Sequence, residues 1–262
     1  MLYHKTFANP NSQEWVVFIH GAGGSSSIWY KQLRNFKEAF NVLLIDLRGH
    51  GQSQEMFERF FTNEYNFENI SQDVIDVMDH LEIQKAHLVG ISLGTIIIRT
   101  IVDMAPERVS SLILGGAVTR LNVRSKFLVA FGNLVKKRVP YMWLYSLYAW
   151  IVMPRKRNKE SRVLFVSQAK KLCQTEFLKW FKLTKDLNPL LRYFNEKEIK
   201  LPTLYLMGDQ DYMFLPQVIN LVEKHPFSRL SIIKNSGHVC NVEQPELFNA
   251  LAINFIHEHS PA

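Results

Sequence analysis

Short apolar runs broken by glycine-rich turns recur along the first 120 residues and return after residue 200. Residues 15–19 are wholly apolar and end at His20-Gly21, the pattern of a strand covered on both faces. Residues 42–45 repeat it and end at Asp46, and 87–89, 111–114, 203–207 and 230–233 are further runs of strand length. Between them the period changes. Ile70, Val74, Val77, Met78 and Leu81 fall on one face of a helix within 69–81, its start read at 71–74. Helices are also expected from Leu93 to about Asp103, over 217–223 and over 245–257. Such alternation predicts right-handed crossovers and a mainly parallel sheet. There is no internal repeat and no low-complexity tract. Between Gly116 and Lys200 the alternation stops, and a helical excursion from one sheet edge is expected there.

Composition narrows the class. Of the 262 residues 47% are hydrophobic and 21% charged, which excludes a disordered, collagenous or coiled-coil chain. Cys173 and Cys240 are too few for a disulfide framework or a cysteine-built zinc site. The start, Met1-Leu2-Tyr3-His4-Lys5, lacks the apolar core of a signal peptide, and no apolar run approaches the roughly 20 residues of a membrane span. A cytoplasmic location is therefore expected. The net charge of +7 is unevenly spread: residues 120–200 hold 19 Lys and Arg against 5 Asp and Glu, and the remainder 12 against 19. A mildly acidic body thus carries a strongly basic insert.

Candidate chemistry sits at strand ends. Gly90-Ile91-Ser92-Leu93-Gly94 follows one strand and opens a helix, so Ser92 stands in a sharp turn that pushes its hydroxyl out of the sheet edge. A Cβ at either flanking position would collide with the neighbouring strand or helix. A serine hydroxyl needs a base to take its proton, and in this pattern an acid and then a histidine follow in the chain. The run 203–207 leads into Gly208-Asp209-Gln210-Asp211, and His238 follows the next strand in Asn235-Ser236-Gly237-His238. Parallel strands put these loops at one edge. Asp211 would orient the imidazole of His238, which would shuttle the proton, with Asp209 the alternative acid. The other histidines read as surface or structural residues.

His20-Gly21-Ala22-Gly23-Gly24-Ser25 lets the backbone turn sharply and point amides into a pocket, where fixed N–H donors stabilise the oxyanion of acyl transfer. The amides of Ala22 and Leu93 are the best candidates. A phosphate cradle is the rival reading, but the run has neither G-x-x-x-x-G-K-[ST] nor G-x-G-x-x-G.

Together with Asp46-Leu47-Arg48-Gly49-His50-Gly51-Gln52-Ser53, these segments resemble the α/β-hydrolase superfamily over the whole chain except the insert. The resemblance implies an α/β fold with a mostly parallel eight-stranded sheet, a helical cap inserted after strand six, and no cofactor. It places the nucleophile at Ser92, the acid at Asp211, the base at His238 and the oxyanion amides at Ala22 and Leu93. Serine at position 92 disfavours haloalkane dehalogenases and epoxide hydrolases, which use aspartate there. Too few residues precede Trp15 for the usual N-terminal hairpin, so the expected sheet has seven strands. The hydrolase core would be 1–119 and 201–262, and the cap 120–200.

The insert bears on the substrate. Residues 141–153 contain Ser146 as their only non-hydrophobic member, bracketed by Lys136-Lys137-Arg138 and Arg155-Lys156-Arg157. Such a stretch suits a helix packed over the body, or one lining an acyl pocket while its cationic flanks rest peripherally on an anionic membrane. Nucleic acid is not an expected partner, since no recognition motif appears. The expected activity is hydrolysis of small-molecule carboxylic esters with hydrophobic acyl groups, through a Ser-His-Asp triad and an acyl-enzyme. The same triad in related folds serves C–C bond cleavage or a lyase step such as that of menaquinone biosynthesis, with Arg124 or Lys126 holding carboxylates. A non-catalytic small-molecule sensor is the third reading.

Overall fold

A computed structural model describes residues 1–54 and 65–260. Its strands are β1 (His4–Phe7), β2 (Trp15–Ile19), β3 (Asn41–Ile45), β4 (Ala86–Ile91), β5 (Val109–Gly115), β6 (Thr203–Gly208) and β7 (Ser228–Ile233). They form one seven-stranded sheet in the order β1-β3-β2-β4-β5-β6-β7. All neighbours are parallel except β1, which runs antiparallel to β3 with His4 opposite Ile45. β1 has no signal in the sequence: of His4, Lys5, Thr6 and Phe7 only the last is apolar, and the strand lies at the edge, with a single neighbour.

The central strands are apolar on both faces because both faces are covered. Val17, Ile19, Leu43, Ile45 and Leu88 point to one side, where they pack with α2 (Phe67–His80) and α3 (Leu93–Met104). Val16, Phe18, Val42, Leu44 and Val89 point to the other, against α1 (Tyr30–Ala39) and α11 (Pro245–Glu258). The strand period of two is therefore hidden in composition and visible only in which layer each side chain joins. α2 starts earlier than the periodicity placed it. Asn66 is its N-cap, and the Asn66 carboxamide oxygen accepts the Asn69 N–H at 2.6 Å.

Between β5 and β6 the chain makes five helices: α4 (Val123–Val135), α5 (Tyr141–Val152), α6 (Lys159–Ala169), α7 (Gln174–Lys182) and α8 (Thr184–Glu196). In the described sheet of seven this excursion follows the fifth strand, where the eight-stranded numbering of the resemblance puts it after the sixth. It leaves and re-enters at neighbouring interior strands, Leu112 lying opposite Thr203, rather than at an outer edge. Leu144, Tyr145, Ala169, Leu172, Phe177 and Phe181 form an apolar cluster of the excursion's own. After β6 come α9 (Leu215–Val222) and, after β7, the short α10 (Cys240–Glu243). Among the described residues no helix is long and apolar enough to cross a membrane.

The loop after β3 is pinned by a buried ion pair. Arg48 meets Asp73 of α2 in a two-pronged contact, Nε to Oδ2 at 2.6 Å and Nη2 to Oδ1 at 2.8 Å. Burial raises the pKa of the Asp73 carboxyl, and the guanidinium opposes that shift. Removing one partner strands the other away from water. Asp73→Asn is expected to lower the free energy of unfolding by about 3 kcal/mol in urea titrations at neutral pH.

Candidate active site

Ser92 joins β4 to α3 with φ 55° and ψ −119°, a conformation rare for any residue with a side chain. Two contacts hold the turn there. The Ser92 N–H donates to Gly115 O on β5 at 3.0 Å, and α3 packs so closely on β2 that a Cβ on Gly94 would strike the Ile19 carbonyl oxygen and lie 2.9 Å from that of His20. Glycine at 94 is therefore a packing requirement, and the strain at Ser92 is the consequence of turning between two elements in contact.

The loops after β6 and β7 meet this turn. His238 Nε2 lies 2.9 Å from Ser92 Oγ, and its Nδ1 lies 2.8 Å from Asp211 Oδ2. A carboxylate only accepts, so Nδ1–H donates to Asp211 and Nε2 is left to accept the serine proton. Asp211 is 1% exposed, and its other oxygen accepts the Phe214 N–H at 3.2 Å. The Phe214 ring lies 5.0 Å from the His238 imidazole and limits its rotation. Asp209, the alternative acid, is occupied elsewhere: its Oδ1 accepts the Ser236 N–H at 3.2 Å, tying the β6 loop to the loop that carries His238. On the other side of His238, Gly237 N–H donates to Glu243 Oε2 at 2.8 Å, and Glu243 also accepts from Asn158 and Ser161 of the excursion.

Ala22 and Leu93 both border the space in front of Ser92. The glycine loop carrying Ala22 is held from behind by two histidines. Gly23 N–H donates to His50 Nε2 at 3.0 Å while His50 Nδ1 bonds Arg48 O, and His20 accepts the Leu47 N–H while bonding Gly21 O. Their rings are 5.0 Å apart. Burial lowers the pKa of both, and with the neighbouring His20 it takes His50 down to about 3. Both are thus neutral struts. From the front, the ring of Tyr145 closes over Gly23, where φ is +68° and a Cβ would come within 2.7 Å of the ring.

Two cavities meet at Ser92. The larger, about 270 Å³, runs between α3 and the excursion and is lined by Leu93, Leu128, Val129, Phe177, Phe181 and Leu187 among other apolar residues. The smaller, about 140 Å³, lies on the His238 side, with Ser161 and Gln168 as its polar side chains besides Ser92, Tyr148 and His238. No described Lys, Arg, Asp or Glu lines either cavity. Arg124 and Lys126 are exposed, and Arg124 stacks over the Tyr212 ring at 5.7 Å instead of entering.

Comparison with known proteins agrees with this architecture. The family model for the alpha/beta hydrolase fold matches residues 14–245. The chain belongs to the alpha/beta hydrolase family. A putative carbamate hydrolase, RutD, of Acinetobacter baylyi is 28% identical over 258 residues, covering 94% of each chain. A putative esterase/lipase of Haemophilus influenzae is 26% identical over 242 residues, 88% of this chain and 79% of the relative. Among solved structures, a hydrolase from Oleispira antarctica superposes with a TM-score of 0.83 at 22% identity, covering 97% of this chain and 94% of that one.

Around the site of this alpha/beta hydrolase lie Glu243 and Tyr145, which the sequence does not single out, and His50, which reads there as a surface or structural residue. His50, Glu243 and Tyr145 shape it without a strand-end signal, since each acts on a backbone segment at least 6 residues away, as the 27-residue gap between Gly23 and His50 shows. The motif around His50 was the one available hint, and it named a segment without a role. Among the described residues no cluster of three or more His, Cys, Asp or Glu could hold a metal.

Two outcomes follow from the strain and from the neutral struts. Ser92→Gly is expected to melt about 2–4 °C above Ser92→Ala, because alanine keeps a Cβ at positive φ and glycine relieves about 1 kcal/mol. The unfolded chain takes up protons at residues 20 and 50 near pH 6.5, whereas the native fold does not until about pH 3 at His50. Stability present above about pH 6.5 therefore falls as the pH drops toward about 3. Urea midpoints measured from about pH 7 to about pH 4 should decline, and less steeply in His50→Gln, which keeps an acceptor and loses the titration.

Proposed function

We propose that this hydrolytic enzyme is a serine hydrolase of uncharged carboxylic esters with apolar acyl groups. The observation that carries the reading is the hydrogen-bonded line Asp211–His238–Ser92 ending where two cavities meet whose described walls hold no Lys, Arg, Asp or Glu. Ser92 Oγ attacks the ester carbonyl as His238 takes its proton, and Asp211 steadies the imidazolium that results. The amides of Ala22 and Leu93 stabilise the oxyanion. His238 then protonates the departing alcohol, and a water activated by the same imidazole releases the acid. The larger cavity suits the acyl chain. The smaller suits the leaving alcohol, because it is the one bordered by the proton donor His238.

In this reading residues 120–200 act as a cap over a core of 1–119 and 201–262, and the cap supplies most of the acyl wall. The esterase/lipase relative fits the apolar cavity better than the carbamate hydrolase does, since a small carbamate would leave most of about 270 Å³ unfilled. A lyase acting on carboxylates would need a cation in the cavity wall, and Arg124 and Lys126 lie outside it.

Purified protein is to be assayed on p-nitrophenyl esters of graded chain length and labelled with a fluorophosphonate. Labelling and turnover are expected, best with uncharged acyl chains. Ser92→Ala should lose labelling and about 10⁴-fold or more of kcat, and Asp211→Asn about 10³–10⁴-fold. Labelling without turnover of any ester would move the assignment to a lyase or a sensor.

A further inference from the structure

Among the described residues the outer face of α4 is exposed. Val123, Phe127, Ala130 and Leu134 succeed one another at steps of four, three and four residues, which sets them within about 60° of arc on the helix. Val123 is 84% exposed, Phe127 and Leu134 are each 68%, and Ala130 is exposed as well. The opposite face of the same helix carries Ser125, Leu128 and Val129, which line the larger cavity. One helix thus presents apolar side chains to the cavity and to solvent. Rings extend the outer patch: Phe127 stacks on Phe131, Phe131 meets Trp143 of α5 at 6.4 Å, and Trp143 is half exposed.

Charge surrounds this patch. Arg124 and Lys126 flank the stripe, and Lys137 and Arg138 follow its end. No Asp or Glu occurs from residue 108 to 159, where residues 120–159 alone contain ten Lys and Arg. Arg124, Lys126, Lys137 and Arg138 form no ion pair with a carboxylate among the described residues. A nucleic acid would engage the cations and leave the stripe in water. A bilayer with anionic headgroups satisfies both, taking the apolar side chains at the acyl boundary and the cations at phosphate level. No described helix can cross such a bilayer, so the contact is interfacial.

We propose that α4 docks this protein on anionic lipid surfaces through Val123, Phe127, Ala130 and Leu134, with Arg124, Lys126, Lys137 and Arg138 on the headgroups. From the sequence, the membrane contact is expected at the cationic flanks 136–138 and 155–157 of the apolar segment 141–153. In the fold Leu144, Tyr145 and Ala149 of that segment are buried, leaving Trp143 and Trp150 as its exposed rings. The docking surface therefore shifts to the neighbouring helix, and it does not depend on the hydrolytic reading.

The full chain is to be floated with vesicles of phosphatidylserine and phosphatidylcholine, and with phosphatidylcholine alone, at low salt. Retention on the anionic vesicles is expected, with a blue shift of tryptophan fluorescence. Phe127→Ser/Leu134→Ser should weaken partitioning by about tenfold or more, and Lys126→Gln/Lys137→Gln by about thirtyfold. Both variants should keep the wild-type melting temperature and its turnover of a short-chain ester in solution. Absence of retention on anionic vesicles overturns the proposal, as does retention that the serine variant leaves unchanged. A dimer split by the serine variant, without vesicle retention, overturns it in favour of a second copy of the chain. Vesicle retention with no esterase activity would leave docking standing and remove the hydrolytic reading alone.

Discussion

The approach of α3 to β2 is the constraint on which the site depends. Helix and strand lie so close at Gly94 that a side chain there would strike the His20 carbonyl, and the chain can pass from β4 into α3 only by forcing Ser92 to positive φ. The strain is offset by packing on both sides of the sheet, where β2 and β4 are fully covered. A serine held this way stands clear of its own helix and faces whatever the neighbouring loops bring. The same contact sets His20 beside the turn, so the glycine loop after β2 and the serine after β4 are fixed relative to each other through one close approach.

Parallel strands then do the gathering. β6 and β7 end at the same edge as β4, and their loops carry Asp211 and His238 to Ser92 across 119 and 146 residues of chain respectively. The loops are tied to one another before they are tied to the serine. Asp209 holds the Ser236 amide, and Glu243 holds the Gly237 amide while also receiving Asn158 and Ser161. The imidazole is thus positioned by backbone on both sides, and the five-helix excursion is latched to the loop that bears it. Two buried neutral histidines do the corresponding work behind the glycine loop.

The excursion has two environments on one helix. α4 turns Leu128 and Val129 toward the cavity and Phe127 and Leu134 toward solvent, so an amphipathic pattern is missing from its sequence although the helix lies at the surface. The basic surplus of residues 120–200 lies outside the cavity walls, which contain no described charged side chain. Electrostatics and substrate space are therefore separated across the thickness of a single helix layer.

The interior strands β2 to β6 and the turn residues at their ends were legible because an interior parallel strand must be largely apolar and a sharp exit from it needs glycine, and the edge strand β7 showed only in its apolar residues 230–233. That put Ser92, Asp211 and His238 at strand ends, with Asp209 as the alternative acid beside the preferred Asp211. Tertiary structure decided what the other carboxylate does: Asp211 faces the imidazole while Asp209 braces a loop, since the two differ by which way one turn points them. It alone decided the edge strand β1, whose four residues have almost no apolar signal and form a strand only because β3 offers an unpaired edge. It also decided which face of the excursion meets water. Local composition records how apolar a segment is, whereas the direction of each side chain is set by the neighbours that surround it.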